Sequence, residues 1–185
     1  MFEYFYNEIF RSVIIGFGSL FNGIEIKKGD SIIKVPLAYG PTQKFLARMQ
    51  QEADLNKPVS ITLPRMSFEF LGLQYDSTRK STQTQTIINQ TPDGANVKRN
   101  YLPVPYNMRF ELSIMTKLND DMLQIIEQIL PYFQPAYQLP INFLGNLKEK
   151  RDVPINLDNI SMEDDYEGNF DTRRALIYTL SFTAK

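Results

Sequence analysis

The sequence predicts an α+β fold, a mostly antiparallel β-sheet with two or three helices packed on it and one long exposed hairpin or loop. Three stretches predict it. In Tyr106–Thr116 (YNMRFELSIMT), Tyr106, Met108, Phe110, Leu112 and Ile114 alternate with Asn107, Arg109, Glu111 and Ser113, the period-two pattern of a half-buried strand. Directly behind it, 119–135 (NDDMLQIIEQILPYFQP) places Met122, Ile125, Ile126, Ile129 and Leu130 at i, i+3, i+4, i+7 and i+8, one apolar helical stripe. Near the end, 173–184 (RRALIYTLSFTA) puts Leu176, Tyr178, Leu180 and Phe182 on one face of a second strand. A strand feeding straight into a helix is the unit around which the rest is expected to pack.

The other elements follow in order. Residues 7–21 read as a helix with Ile9, Phe10, Val13, Phe17, Leu20 and Phe21 near one face and Asn7 as a cap. Gly16-Phe17-Gly18 lacks the Lys-Ser/Thr of a phosphate loop and the third glycine of a dinucleotide fingerprint, so it reads as close packing or a helix end. Ile24–Lys28 and Ser31–Val35 flank Gly29-Asp30 as a hairpin ended by Pro36. Thr42–Ala53 reads as a short helix, with Phe45, Leu46 and Met49 inward and Thr42 as a cap. Residues 58–75 are rich in strand formers. The polar segment 76–100 reads as an exposed arm or loop, with Pro92-Asp93-Gly94 as a turn. For the 119–135 helix, Asn119 or Asp120 is the expected cap, Gln124, Glu127 and Gln128 occupy the outer face, and Pro131 and Pro135 stop the chain's helical path. Residues 134–146 read as irregular, 151–157 as a strand with Pro154 near an edge, and 158–172 as an acidic loop. No repeat and no boundary is visible, so residues 1–185 are expected to form one domain.

Composition narrows the chemistry. The chain contains no cysteine and no histidine, so disulfides, thiolate metal sites and Ser–His–Asp or Cys–His catalysis are excluded. Lack of cysteine fits a reducing cytoplasm. A net charge of −1 gives no general attraction to nucleic acid or anionic membrane, and no sequence-specific nucleic-acid contact is expected. The uninterrupted apolar run Ser12–Phe21 is about half of the roughly 20 residues that span a bilayer, so no membrane partner is expected either.

Glu163, Asp164, Asp165 and Glu167 could offer oxygen ligands, but the order and central glycine of a calcium loop are missing, and a solvated segment is the better reading. Lys148, Lys150 and Arg151 read as a solvated basic run. Glu111 and Glu127 carry no sign of converging as an acid–base pair. No catalytic residue, metal ligand or cofactor site is expected. The segments poor at making a private core are instead candidate contact surfaces: Arg79, Lys80, Lys98 and Arg99 in the arm, Tyr132, Phe133, Tyr137 and Phe143 among prolines, and Glu163, Asp164 and Asp165 in the acidic segment. The alternative for the aromatic segment is packing over the domain's own sheet.

Three stretches, MFEYFYNEIFR at the start, LPRMSFEF at 63–70 and above all PYNMRFELSIMTKLNDDMLQIIEQILPYFQP at 105–135, resemble the tail sheath stabiliser (tail completion or terminator) proteins of large contractile-tailed bacteriophages. The resemblance covers most of the chain, with 76–100 and 138–172 outside it. It implies an α+β structural virion protein without catalytic residues. It further implies a homo-hexameric ring, assembled in the host cytoplasm, on the head-proximal end of the tail. The implied partners are the tail sheath protein, the tail tube terminator and the head or neck completion proteins. A tail tube terminator or a baseplate component of the same kind of tail is the alternative. A strand edge, the C-terminal one included, is an expected site for pairing with a sheath segment.

Overall fold

A computed structural model describes residues 4, 6–50, 62–82, 84–90, 97–102, 104–144, 149–167 and 172–185. Its centre is a six-stranded sheet. In spatial order it contains β3 (Leu37–Tyr39), β4 (Arg65–Tyr75), β7 (Tyr106–Thr116), β10 (Thr172–Ala184), β9 (Glu149–Glu167) and β8 (Ala136–Leu144). β3 joins β4 in parallel, and the other neighbours pair antiparallel, so the sheet is mixed, with four antiparallel pairings in this described set. Two small hairpins accompany it, β1 (Glu25–Lys28) with β2 (Ser31–Lys34), and β5 (Thr86–Gln90) with β6 (Val97–Tyr101). The helices are α1 (Ile9–Phe21), α2 (Thr42–Gln50) and α3 (Asn119–Ile129).

The alternation read from the sequence sets the layers. Met108, Phe110, Leu112 and Ile114 of β7 join Leu176, Leu180 and Phe182 of β10 in the main core, roofed by Val13, Phe17 and Phe21 of α1 and by Met122, Ile125, Ile126 and Ile129 of α3. The opposite parity of the same strands supplies Met115, Ala175 and Ile177 to a smaller cluster with Phe45 of α2. β7 is thus covered on both faces over its second half. Phe10 departs from the expected apolar face of α1 and is half exposed. The two glycines of α1 serve close packing. A Cβ on Gly16 would stand 2.8 Å from Leu139 of β8, and one on Gly18 2.6 Å from Phe68 of β4. Helix and sheet meet at a separation that no larger residue at these positions permits without movement.

The hairpin β1–β2 turns through Gly29 at φ 60°, as the Gly-Asp signal predicts. It is tied to α3 by two glutamines of that helix. Gln124 and Gln128, assigned to the outer face, lie against β1. The Lys27 backbone N–H donates to Gln124 Oε1 at 2.8 Å, and the Gln128 amide donates to the Glu25 carbonyl at 2.7 Å. Two side-chain amides therefore complete the ladder along the outer edge of β1, satisfying backbone groups that a strand edge would otherwise leave open. Period analysis sorts residues as polar or apolar, so it cannot separate a glutamine facing water from one facing a strand edge. Glu127 is exposed, as expected.

Lys28 Nζ lies 2.8 Å from Asp121 Oδ2, where Asp121 is nearly buried in the first turn of α3. The helix dipole and the ammonium both favour that carboxylate. Lys28→Met is expected to cost about 1–2 kcal/mol in urea unfolding, below the ~3–5 kcal/mol of a wholly buried pair because Lys28 keeps 39% of its side-chain exposure. Lys28→Arg should retain most of the stability.

Several expectations are corrected. Neither Asn119 nor Asp120 caps α3; extended Leu118 precedes the helix without a side-chain cap, and Asn119 is its first residue. Asn7 does not cap α1, which follows Glu8. Thr42 lies inside α2 and its hydroxyl donates to Ser113. Pro131 ends α3 by entering a 3-10 turn, Leu130–Tyr132. Residues 136–144, expected to be irregular, form strand β8; Pro140 is accommodated because β8 lies at the sheet edge. The expected acidic loop over 158–172 is strand up to Glu167, paired with β10 along its length. Pro154 is not at an edge, since β9 lies between β10 and β8, and its carbonyl accepts the Lys185 N–H at 3.0 Å. The C-terminal strand β10 is internal over 176–184, where β7 and β9 flank it, so that stretch offers no edge for a partner strand.

Candidate assembly surfaces

The polar arm leaves the sheet where β4 ends at Tyr75 and β7 begins at Tyr106. Asp76 anchors its base. One carboxylate oxygen accepts from the Thr78 N–H at 3.0 Å and the Thr78 hydroxyl at 2.6 Å, and the other accepts from Arg79 Nε at 2.7 Å. Arg79 Nη2 also donates to the Asn107 side chain. The Thr78 hydroxyl and the Arg79 guanidinium hold the Asp76 carboxyl well below the usual carboxylate range. Arg79 is therefore committed within its own chain, whereas Lys80 is exposed. Lys98 and Arg99 are placed on β6 by the backbone. Between arm and sheet lies a cleft of about 280 Å³, bordered by Tyr75, Lys80, Tyr101, Leu102, Val104 and Pro105. Tyr101 is 80% exposed at its mouth. The arm is thus a hairpin with a fixed root and an uncovered apolar side.

The aromatic segment divides in two. Phe133 packs inward, with ring centroids 5.0 Å from Phe182 and 6.3 Å from both Phe21 and Tyr137. Phe133 and Tyr137 are half-buried partners of the main core, while Tyr132 is exposed. Proline spacing alone could not distinguish them, because the 3-10 turn after Ile129 decides which ring points back over the sheet. Around Tyr132 a groove of about 900 Å³ runs between the ends of α1 and α3 and the edge strand β8. Phe143 is placed on β8 by the backbone.

The acidic segment lies on β9, with Glu163 exposed and Asp164 and Asp165 beside it in the strand. Asn159-Ile160-Ser161-Met162 alternates with period two, a strand signal masked by the density of charge that follows it. Glu163 also contributes to a polar patch on the sheet face opposite the main core. Glu69 of β4 stands directly across from Glu111 of β7. Burial, then the charges of Glu69 and Glu163, push the Glu111 carboxyl up, and the Ser113 hydroxyl opposes them. A carboxyl raised in the folded state favours folding when protonated and opposes it when ionised. Glu111→Gln is therefore expected to raise the melting temperature at pH 7. The gain should vanish below about pH 4, where glutamates of the unfolded chain are protonated too. Thermal scans of both proteins across pH check this.

Glu111 and Glu127 do not converge, since Glu111 faces away from the core that α3 covers. Among the described residues no group of three or more Asp or Glu side chains is placed to hold a metal ion. None of the described helices is long and apolar enough to cross a membrane. Lys148 lies outside the described residues.

The described residues thus form a mixed sheet roofed by two helices, with a rooted arm, an aromatic groove and a charged strand. The model of the T4-like virus Myoviridae tail sheath stabiliser family matches residues 4–185. The chain is 34% identical over 196 aligned positions to the tail completion protein gp15 of Enterobacteria phage T4, covering 98% of this chain and 71% of that one. A chain from the tail of an empty GTA particle, solved with C6 symmetry, aligns over 67% of this chain and 76% of its own at 12% identity, with a TM-score of 0.24. The chain belongs to the tail sheath stabiliser family of T4-like Myoviridae. It is accordingly a structural protein of a contractile phage tail, located in the virion.

Proposed function

We propose that this protein caps the head-proximal end of the contractile tail, holds the last ring of sheath and presents the surface on which the head and neck dock. The observation that carries this reading is the family match along nearly the whole chain, together with similarity to a protein named for tail completion. In this reading the protein acts by assembly and not as an enzyme. It forms a homo-hexameric ring, and its neighbours are the tail sheath protein, the tail tube terminator and the neck completion proteins. The chain works as one domain, with the exposed arm at 76–100 and the aromatic segment 131–146 supplying much of the contact. Sheath pairing falls to an available sheet edge. β8 is the better choice than β10, because it is the terminal strand of the sheet and borders the groove at Tyr132.

Co-sedimentation tests the reading. Purified protein is expected to pellet with sheathed tails that lack their own cap, saturating at one small oligomer per tail. Binding in proportion to sheath length, or equal binding to bare tubes, would argue for a different place in the tail.

A further inference from the structure

We infer that copies of this chain join head to tail, the basic arm of one docking along the free edge of β9 in the next. The inference rests on the ring reading and names the contact that closes the ring. Its basis is the position of two hairpins at opposite ends of one sheet. β7 begins at Tyr106, beside the arm, and ends at Thr116. β10 runs antiparallel to it, with Ala184 facing Met108 and Leu176 facing Thr116. Beyond Leu176, β9 and β10 continue as a two-stranded overhang to Glu167 and Thr172. The arm and the overhang are therefore separated by the length of β7, about 34 Å at about 3.4 Å per residue.

The two ends carry opposite charge. The arm holds Lys80, Lys98 and Arg99 against Asp93, while Arg79 is paired with Asp76 at its root. The stretch of β9 from 158 to 167, which ends in the overhang, holds Asp158, Glu163, Asp164, Asp165 and Glu167 and no lysine or arginine, and Arg173 and Arg174 on the facing strand offset only part of this. Both ends also have strand edges to fill. β8 pairs with β9 only as far as Asn156, so from Asp158 onward β9 has β10 on one side and, among the described residues, no strand on the other. β5 and β6 pair only with each other in the described sheets. An isolated two-stranded hairpin is marginal in water and gains most from a third strand. Each end offers apolar surface for that contact: Ile160 and Met162 two residues apart on β9, at 39% and 55% exposure, and Ile88 on β5 at 58%. A contact between two different surfaces of the same chain is heterologous and closes into a ring when its rotation permits.

Charge reversal tests the contact in the full chain. One variant carries Lys80→Glu, Lys98→Glu and Arg99→Glu; the other carries Glu163→Lys, Asp164→Lys and Asp165→Lys. Self-association is read by light scattering across concentration, with circular dichroism confirming that both variants fold. Wild type is expected to assemble in about 0.1 M salt and to dissociate toward 1 M, where screening shortens to about 3 Å. Each variant alone should associate at least about 100-fold more weakly, because like charges then meet at every contact. An equimolar mixture should restore assemblies of wild-type size, with the two variants alternating. Assembly of either variant alone at wild-type strength overturns the inference, as does a mixture of folded variants that stays monomeric. A wild type that is monomeric at all concentrations in low salt also overturns it, and if that monomer still binds sheathed tails the capping reading stands without this contact.

Discussion

Phe17→Ala is expected to remove about 3–5 kcal/mol of folding stability, a large share of the roughly 5–15 kcal/mol that holds a typical domain together. Phe17 is fully buried at the point where helix and sheet meet. Its ring stacks on Phe110 of β7 at 4.4 Å and lies 5.1 Å from Phe21, 5.3 Å from Phe182 of β10 and 5.7 Å from Phe68 of β4. Truncation opens a cavity among four aromatic rings, and the glycines on either side hold α1 so close to the sheet that little collapse is possible. Urea unfolding followed by circular dichroism measures the loss. A cost below about 1 kcal/mol would mean that α1 does not roof the sheet as described. Phe17→Leu should cost distinctly less, since it retains part of the buried volume.

Removal of residues 80–98, replaced by a short Gly-Ser linker, is expected to lower occupancy of tail ends at least about tenfold while leaving the fold intact. No described residue of the arm belongs to either apolar cluster, and the Asp76–Arg79–Asn107 anchor lies outside the deletion. Thermal unfolding should therefore resemble that of the full chain, while binding to uncapped sheathed tails, followed by co-sedimentation, should fall. Assembly and tail attachment that both survive the deletion would remove the arm from the account.

The parts of the fold that were legible in the sequence are those with a clear apolar period or turn signal. β7 was read to the residue, and α1, α3, the β1–β2 hairpin and β10 within a few positions, because the helices and long strands repeat apolar residues at their own period and Gly29-Asp30 marks the hairpin turn. β8 and β9 were not legible. β8 carries Pro140 and β9 carries Pro154 and a run of carboxylates, and these residues usually mark loops. Here pairing with β10 fixes the backbone of β9 irrespective of side-chain charge, and the edge position of β8 leaves room for proline. Of the candidate contact residues, the sequence could group them by segment but not orient them. Arg79 turned out to be engaged with Asp76 and Asn107, Phe133 and Tyr137 to line the core, and Lys80, Tyr132 and Glu163 to be exposed, distinctions that depend on a turn, a cap and a strand register that no local pattern encodes.

The central claim is a position, the head-proximal end of the tail. Gold-labelled protein added to uncapped sheathed tails and viewed by negative-stain electron microscopy tests it most directly. The account predicts one cluster of label per tail, at the end opposite the baseplate. Label along the sheath, or at the baseplate end, would contradict it.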